Sequence, residues 1–110
     1  MADIRVLFVT ISPADADTFV RTLLHERVVA CGNILPGVRS HYWWNGELCT
    51  DEECVVLMET PAEGLENTLA RVRDVHPYDT PKVIALHPAM VDEAYSRWVL
   101  AETRPPMVGS

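Results

Sequence analysis

A histidine in a stiff connector, His76, has the chemistry of a metal ligand. It opens the segment His76-Pro77-Tyr78-Asp79-Thr80-Pro81, whose two prolines restrict the backbone. A neutral imidazole binds copper and zinc well, and a stiff backbone would hold it in place. The residues alone favour a second interpretation, in which His76 caps the preceding helix, because the negative end of a helix dipole favours a positive group.

The three cysteines offer thiol ligands but no pair with metal or disulfide spacing. Cys31 follows an apolar Val-Val-Ala segment, where a free cysteine is more typical of a small core residue than of a ligand or nucleophile. Cys49 and Cys54 are five residues apart, so in one continuous strand they point to opposite faces, Cys54 into the core and Cys49 towards solvent. Neither a disulfide framework nor a structural zinc site is predicted.

Motifs of known catalytic chemistry are missing from the sequence. It contains no glycine-rich phosphate loop, no Gly-x-Ser-x-Gly elbow and no helical His/Glu metal motif. Cys31 and His76 could pair in space, but no spacing predicts that they do. The acidic run Asp51-Glu52-Glu53 is typical of a solvated stretch. We therefore expect a protein that is not an enzyme and uses no organic cofactor.

The composition excludes several classes of partner. A formal net charge of −7 repels phosphate backbones and anionic lipids, so we expect neither nucleic-acid nor membrane binding. No apolar run approaches the roughly 20 residues that span a bilayer, and residues 1–3 lead into a strand without a secretory segment. We expect a cytoplasmic protein with reduced thiols, folded as one domain over residues 1–104 with a short tail at 105–110.

The elements that must position these side chains follow from periodicity and turn residues. The strongest local signal is a β-hairpin over residues 31–58, because Asn45-Gly46 suits a turn with two positive φ angles. Pro36-Gly37 predicts a bend or bulge in its first arm. Capping patterns predict helix starts at Ser12-Pro13-Ala14-Asp15 and Thr60-Pro61-Ala62-Glu63. Further strands are predicted at 4–11 and 82–86, and the helices are predicted to end near 25–27, before 76 and near 102.

The predicted order is β-α-β-β-α-β followed by one more helix from about residue 92. This order is typical of an α+β, ferredoxin-like fold, in which two helices cover one face of a four-stranded antiparallel sheet. Three strand segments, however, are apolar on both faces: 6–9, 55–58 and 83–86. Two helices cover only one sheet face, so the other would expose a large apolar patch. We therefore expect a closed homo-oligomer, with the alternative that the C-terminal helix covers this face alone.

The predicted hairpin tip carries an aromatic cluster, Tyr42-Trp43-Trp44. Successive side chains of a strand point to opposite faces, so both faces of the tip carry a large aromatic group. We expect at least one of these rings to pack on a neighbouring molecule or line a cleft.

Two motifs together resemble the CutA divalent-cation tolerance family. The first runs from Glu26-Arg-Val-Val-Ala-Cys31 through Gly-Asn-Ile-Leu-Pro-Gly-Val-Arg-Ser-His-Tyr-Trp-Trp-Asn-Gly46, and the second is His76-Pro-Tyr-Asp-Thr-Pro81. The resemblance extends from Ile4 to about Leu100. It implies a ferredoxin-like fold assembled as a homotrimer, with hairpins that pair across subunits. It also implies a role in tolerance to copper and other divalent cations, with copper binding and no established enzymatic activity.

Functional residues are carried over from the family by motif. The resemblance implies Cys31 and His76 as ligands of Cu(II) or another divalent cation. It places a second set near a cleft between subunits: Trp44, Glu59, Tyr78, Asp79 and Pro81. Several positions depart from the family pattern. Trp44-Asn45-Gly46-Glu47 replaces the usual Trp-Glu-Gly-Lys, and Asp79 stands for the usual glutamate. Glu59 stands where a lysine is frequent, and Gly32 replaces the usual valine.

Three hypotheses of function follow. The first is a trimeric cation-binding protein that takes part in the response to metal ions. The second is a sensor similar to PII-type signalling trimers, with a small molecule bound in the cleft between subunits. The third is a structural trimer that serves as an anchoring module for other proteins.

Overall fold

The computed structural model describes residues 3–106, so most of the predicted tail lies outside the described residues. The elements follow in this order: β1 (Ile4–Ile11), α1 (Ala16–His25), β2 (Cys31–Trp44), β3 (Glu47–Pro61), α2 (Leu65–Val75), β4 (Val83–Leu86) and α3 (Glu93–Glu102). The predicted order and the α+β class are confirmed. Within residues 3–106, no helix is both long and apolar enough to cross a membrane.

The four strands form one antiparallel sheet in the order β2-β3-β1-β4. The hairpin of β2 and β3 turns at Asn45 and Gly46, whose φ angles of 51° and 78° confirm the predicted turn. The register of the hairpin shifts between Leu35 and Val38, and Gly37 has a φ of 76°. The bulge predicted from Pro36-Gly37 is therefore confirmed as well.

Both predicted capping patterns are replaced by other structure. The Ser12 hydroxyl donates to the Asp15 carboxylate at 2.9 Å. Residues 12–15 therefore form a turn before α1, and the helix itself begins at Ala16. Thr60 and Pro61 continue β3, because they pair with the start of β1. The Thr60 hydroxyl donates to the Val28 carbonyl at 2.9 Å, so it is not available to cap α2. Helix α2 begins instead after Gly64, which has a φ of 70°.

The core lies between one face of the sheet and the helices α1 and α2. Even-numbered residues of β3 face it, including Val56 and Met58. Its other main contributors come from β1, α1 and α2: Leu7, Val9, Ile11, Phe19, Val20, Leu23 and Val72. Cys54 is buried in this core, as predicted.

The opposite side of the sheet, which we call the second face, is only partly covered. Helix α3 contacts it at β3, where Tyr95 bonds to Glu59. Leu35, Ile84 and Leu86 each remain 44% exposed. The prediction of a second apolar face is therefore confirmed, and the alternative that α3 covers this face alone is wrong. Exposed apolar area of this kind is typical of a protein interface.

Candidate cation site and connector

His76 ends α2 and is buried, with 5% of its surface exposed. Its Nδ1 accepts a hydrogen bond from the Tyr78 backbone N–H at 3.1 Å, and its Nε2 lies 2.8 Å from the Thr10 carbonyl oxygen. A backbone N–H only donates and a carbonyl only accepts, so these hydrogen bonds fit the tautomer with its proton on Nε2. His76 is the C-cap residue of α2, as the capping interpretation has it, but its ring bonds to Tyr78 and Thr10 and not to the last carbonyls of the helix.

Aromatic contacts hold the same ring from two sides. Phe19 and Tyr78 pack edge-on against His76, with ring centroids 5.2 and 4.5 Å away. Both ring nitrogens are used within the subunit, so His76 would bind a metal ion only after giving up one of its two hydrogen bonds. In this conformation it fastens the connector to the end of β1, and its role as a ligand stays a prediction.

Cys31 is a free, half-buried thiol at the first residue of β2. It lies outside the core cluster, so the interpretation of Cys31 as a core residue is wrong. Glu59 is its direct partner on β3, and directly opposed residues of an antiparallel pair share one face of the sheet. The Tyr95 hydroxyl of α3 donates to Glu59 Oε1 at 2.7 Å. A thiol, a carboxylate and a phenol therefore come together on the second face.

Cys31 and His76 do not meet within one subunit. His76 bonds to Thr10, which pairs with Val55, whereas Cys31 pairs with Glu59. These two positions are four residues apart along β3, which is a distance of roughly 13 Å. A metal ion that binds one sulfur and one nitrogen needs both within about 2.3 Å of itself. Within residues 3–106, no three side chains of His, Cys, Asp or Glu come together as a metal cluster.

Three carboxylates of β3 each accept a hydrogen bond from a tyrosine, and the sequence did not predict these pairs. Tyr78 donates to Glu53 Oε2 at 2.9 Å, Tyr95 donates to Glu59, and Tyr42 donates to the Asp51 carboxylate. Glu53 is buried, so the prediction of a solvated acidic run is wrong for this residue. The three carboxylates occupy odd-numbered positions on one face of β3. That spacing, in a chain with only three tyrosines, was the available signal.

Each pair raises the pKa of its tyrosine, because a nearby carboxylate disfavours the phenolate. The hydrogen bond to Asp51 is the main cause for Tyr42, and raises its pKa to about 12. Burial is the main cause for Tyr78 and Tyr95, with Glu53 and Glu59 adding to the rise in pKa. All three side chains are therefore neutral hydrogen-bond donors at physiological pH.

The predicted cleft residues lie in three separate parts of the subunit. Trp44 is at the hairpin tip opposite Glu47, and Glu59 is near the other end of β3. The connector residues 78–81 are anchored at Glu53 through Tyr78. Glu53 is six residues from Glu47 and from Glu59, or roughly 20 Å along the strand in each direction. A single cleft that contains them all would need residues from more than one subunit, and so it stays a prediction.

The fold and these contacts define a small ferredoxin-like α+β protein with a partly covered apolar sheet face and a free thiol beside a carboxylate. Comparison with known proteins then gives the family. The model of the CutA1 divalent ion tolerance proteins matches residues 5–102, and the chain belongs to this family.

Relatives and solved structures agree with this assignment. The divalent-cation tolerance protein CutA of Thermus thermophilus is 36% identical over 100 residues, which cover 90% of this chain and 97% of the relative. The protein of the same description from Pyrococcus horikoshii is 36% identical over 89 residues, which cover 81% of this chain and 86% of the relative. The crystal structure of CutA1 from Oryza sativa has a TM-score of 0.87 and 31% identity, over 96% of this chain and 97% of that one.

Proposed function

We propose that this protein assembles as a homotrimer in the cytoplasm, binds copper or a related divalent metal ion, and takes part in the response to metal ions. Its family is that of the divalent ion tolerance proteins, and its relatives from Pyrococcus horikoshii and Thermus thermophilus are divalent-cation tolerance proteins. The net charge of −7 attracts cations to the molecule as a whole.

The observation that carries the metal proposal is the state of Cys31. Its thiol is free and half-buried, and it lies on the second face of the sheet beside a carboxylate. Thiolates are strong ligands for copper and zinc, and a metal ion stabilises the thiolate over the thiol. A partly shielded thiol with an acidic neighbour is suited to take up a cation from solution.

The homotrimer is supported by two surfaces that a single subunit leaves open. One is the second face, with Leu35, Ile84 and Leu86 half exposed. The other is β2, an edge strand of 14 residues whose outer backbone groups have no strand partner in the described chain. A closed oligomer buries the first surface and pairs the second, and so removes a template for aggregation.

The test is a competitive copper titration of the metal-free protein against a chelator of known affinity, with subunit number determined by native mass spectrometry. We expect a trimer that binds one ion per subunit, with binding lost in Cys31→Ser. Weak, nonstoichiometric binding would contradict the proposal. It would favour the small-molecule sensor, for which Trp44 and Tyr78 still offer partly exposed rings.

His76→Ala in the same titration tests the predicted second ligand. Loss of copper with unchanged thermal stability would make His76 a ligand supplied by an opened connector. Retained copper affinity with lower stability would make it structural, which is the outcome that its two hydrogen bonds favour.

A further inference from the structure

Glu59 has the position and the free oxygen of a metal ligand. It is the direct cross-strand neighbour of Cys31, and its Oε1 is already held by the Tyr95 hydroxyl. We infer that Cys31 and Glu59 are the two protein ligands of a divalent-cation site on the second face, with Tyr95 as a positioning residue. This inference rests on the proposed function and names the ligand set of its site.

The strand geometry permits both side chains to reach one ion. Directly opposed residues in an antiparallel pair have Cβ atoms about 4.5–5.5 Å apart and point to the same side. Zinc-type ions bind sulfur at about 2.3 Å and carboxylate oxygen at about 2.0–2.2 Å. The ligand atoms of one ion are therefore roughly 3.5–4 Å apart, a separation that the Cys31 and Glu59 side chains span from these positions.

Tyr95 leaves one carboxylate oxygen of Glu59 available. The hydroxyl bonds to Oε1, and among residues 3–106 no hydrogen bond is made to Oε2. Because the Tyr95 hydroxyl donates its hydrogen to Oε1, it orients the Glu59 carboxylate and is not itself assigned as a ligand. A hydrogen-bond donor behind a carboxylate ligand fixes its orientation, and such outer contacts affect metal affinity.

Helix α3 holds the Tyr95 side chain in position. Tyr95 is held at the first turn of α3, where the Asp92 side chain accepts a hydrogen bond from its backbone N–H at 3.1 Å. The Trp98 ring stacks on Tyr95 with centroids 5.6 Å apart. The phenol that orients Glu59 is therefore fixed from the backbone side and from the ring side.

The donor set indicates the class of metal. One thiolate and one carboxylate suit borderline divalent ions such as Zn²⁺, whereas Mg²⁺ and Ca²⁺ prefer sites built from oxygen alone. Two protein ligands leave further coordination positions for water. A site of this type exchanges its ion more readily than a closed four-ligand structural site.

The decisive experiment uses Co²⁺ as the probe, on the reduced, metal-free, full-length protein. Charge transfer from thiolate to cobalt gives a near-ultraviolet band that reports the sulfur ligand. We expect this band in the wild type and its loss in Cys31→Ser. Glu59→Gln should keep the band at saturation but weaken cobalt affinity by about tenfold or more, and Tyr95→Phe should weaken it by less.

Glu63→Gln is the matched control. It makes the same substitution at an exposed glutamate in the turn that precedes α2. It should change cobalt affinity by less than about twofold, since a solvent-exposed charge is strongly screened. Thermal unfolding of each variant without metal checks the fold. If Glu59→Gln is unstable, Glu59→Asp keeps the charge while shortening the side chain, and should also weaken binding.

The outcomes separate the inference from the proposed function. Absence of the thiolate band in the wild type, together with no copper binding, would overturn both. A band with unchanged affinity in Glu59→Gln would overturn only the inference, and would make the Glu59–Tyr95 bond a fastening of α3 to the sheet. As a second readout, Zn²⁺ should slow alkylation of Cys31, measured by peptide mass spectrometry. In Glu59→Gln the same protection should require about tenfold more Zn²⁺ or higher.

Discussion

The β2–β3 ladder has two halves that share an antiparallel pairing pattern but differ in the burial of their side chains. The inner half pairs residues 31–35 with 55–59, and the outer half pairs 38–44 with 47–53. In the inner half, Val56 and Met58 are fully buried. In the outer half, Trp43 and Leu48 are directly opposite each other and are 73% and 66% exposed.

The difference arises because β1 ends at Ile11, opposite Cys54. Beyond that point no third strand pairs with the outer half within residues 3–106, and a two-stranded hairpin is marginally stable alone in water. Side-chain pairs hold it instead, such as the hydrogen bond of 2.9 Å between His41 and Thr50. The inner half therefore stabilises the subunit, and we expect the exposed outer half to contact another surface.

The largest expected effect comes from truncating one apolar residue in each half. Met58→Ala should lower the free energy of unfolding by about 2–5 kcal/mol, because it opens a cavity in the core. Leu48→Ala should change the stability of the subunit by less than about 0.5 kcal/mol, since Leu48 is exposed, yet it should weaken oligomer assembly. Chemical denaturation and size-exclusion chromatography with light scattering measure the two effects.

Unfolding of an oligomer depends on protein concentration, so both variants need several concentrations. Equal destabilisation of the subunit by the two substitutions would remove the distinction between the halves. An unchanged oligomer in Leu48→Ala and in Trp43→Ala would show that the tip serves another partner, as in the anchoring hypothesis.

The next effect tests how closely the inner half packs on α1. A Cβ added at Gly32 would lie 2.5 Å from Val20 Cγ1, far inside van der Waals contact. Gly32→Val should therefore cost about 1–3 kcal/mol of stability through overpacking. Val20→Ala should relieve the clash, so the double variant should be more stable than the sum of the two single effects predicts.

A double-mutant cycle by urea denaturation gives this coupling. A coupling of about 1 kcal/mol or more would establish that glycine at 32 and valine at 20 compensate each other in this chain. Additive effects would mean that β2 moves away from α1 at little cost.

The sequence predicts a structural feature correctly where neighbouring residues alone determine its conformation. Asn45-Gly46 and Pro36-Gly37 contain in themselves the conformational reason for the turn and the bulge. The apolar runs likewise indicated the second face. Thr60-Pro61 misled because pairing with β1, more than 50 residues away in sequence, outweighs a local capping pattern.

The surroundings of Cys31 and His76 were harder to predict, because they depend on contacts between residues that are distant in sequence. One of the two ring hydrogen bonds of His76 is made with Thr10, which is 66 residues away. The bond from Tyr95 to Glu59 joins α3 to β3 across 36 residues. Motif resemblance therefore indicated Cys31 and His76 as ligand types, whereas only the three-dimensional arrangement shows that Cys31 shares its surroundings with Glu59.

The smallest expected effect is in the titration of the tyrosines, which lie in the outer half of the ladder, in the connector and on α3. An ordinary tyrosine has a pKa of about 10, and all three tyrosines here have raised pKa values. Absorbance at 295 nm should therefore stay flat at pH 10 in the folded protein and rise there in urea. Because only the unfolded chain loses these protons between about pH 10 and 12, stability should fall as the pH rises through this window.

Tyr42 allows the outer half to be tested separately. Its pKa of about 12 depends mainly on the hydrogen bond to Asp51, whereas burial dominates for Tyr78 and Tyr95. Asp51→Asn should therefore return one tyrosine in three towards a pKa of 10 and leave the other two high, with little change in stability because Tyr42 is exposed. If one tyrosine already titrates near 10 in the wild type, the Tyr42–Asp51 pair does not persist in solution. The outer half would then be ordered by the surface it contacts and not by its own side-chain pairs.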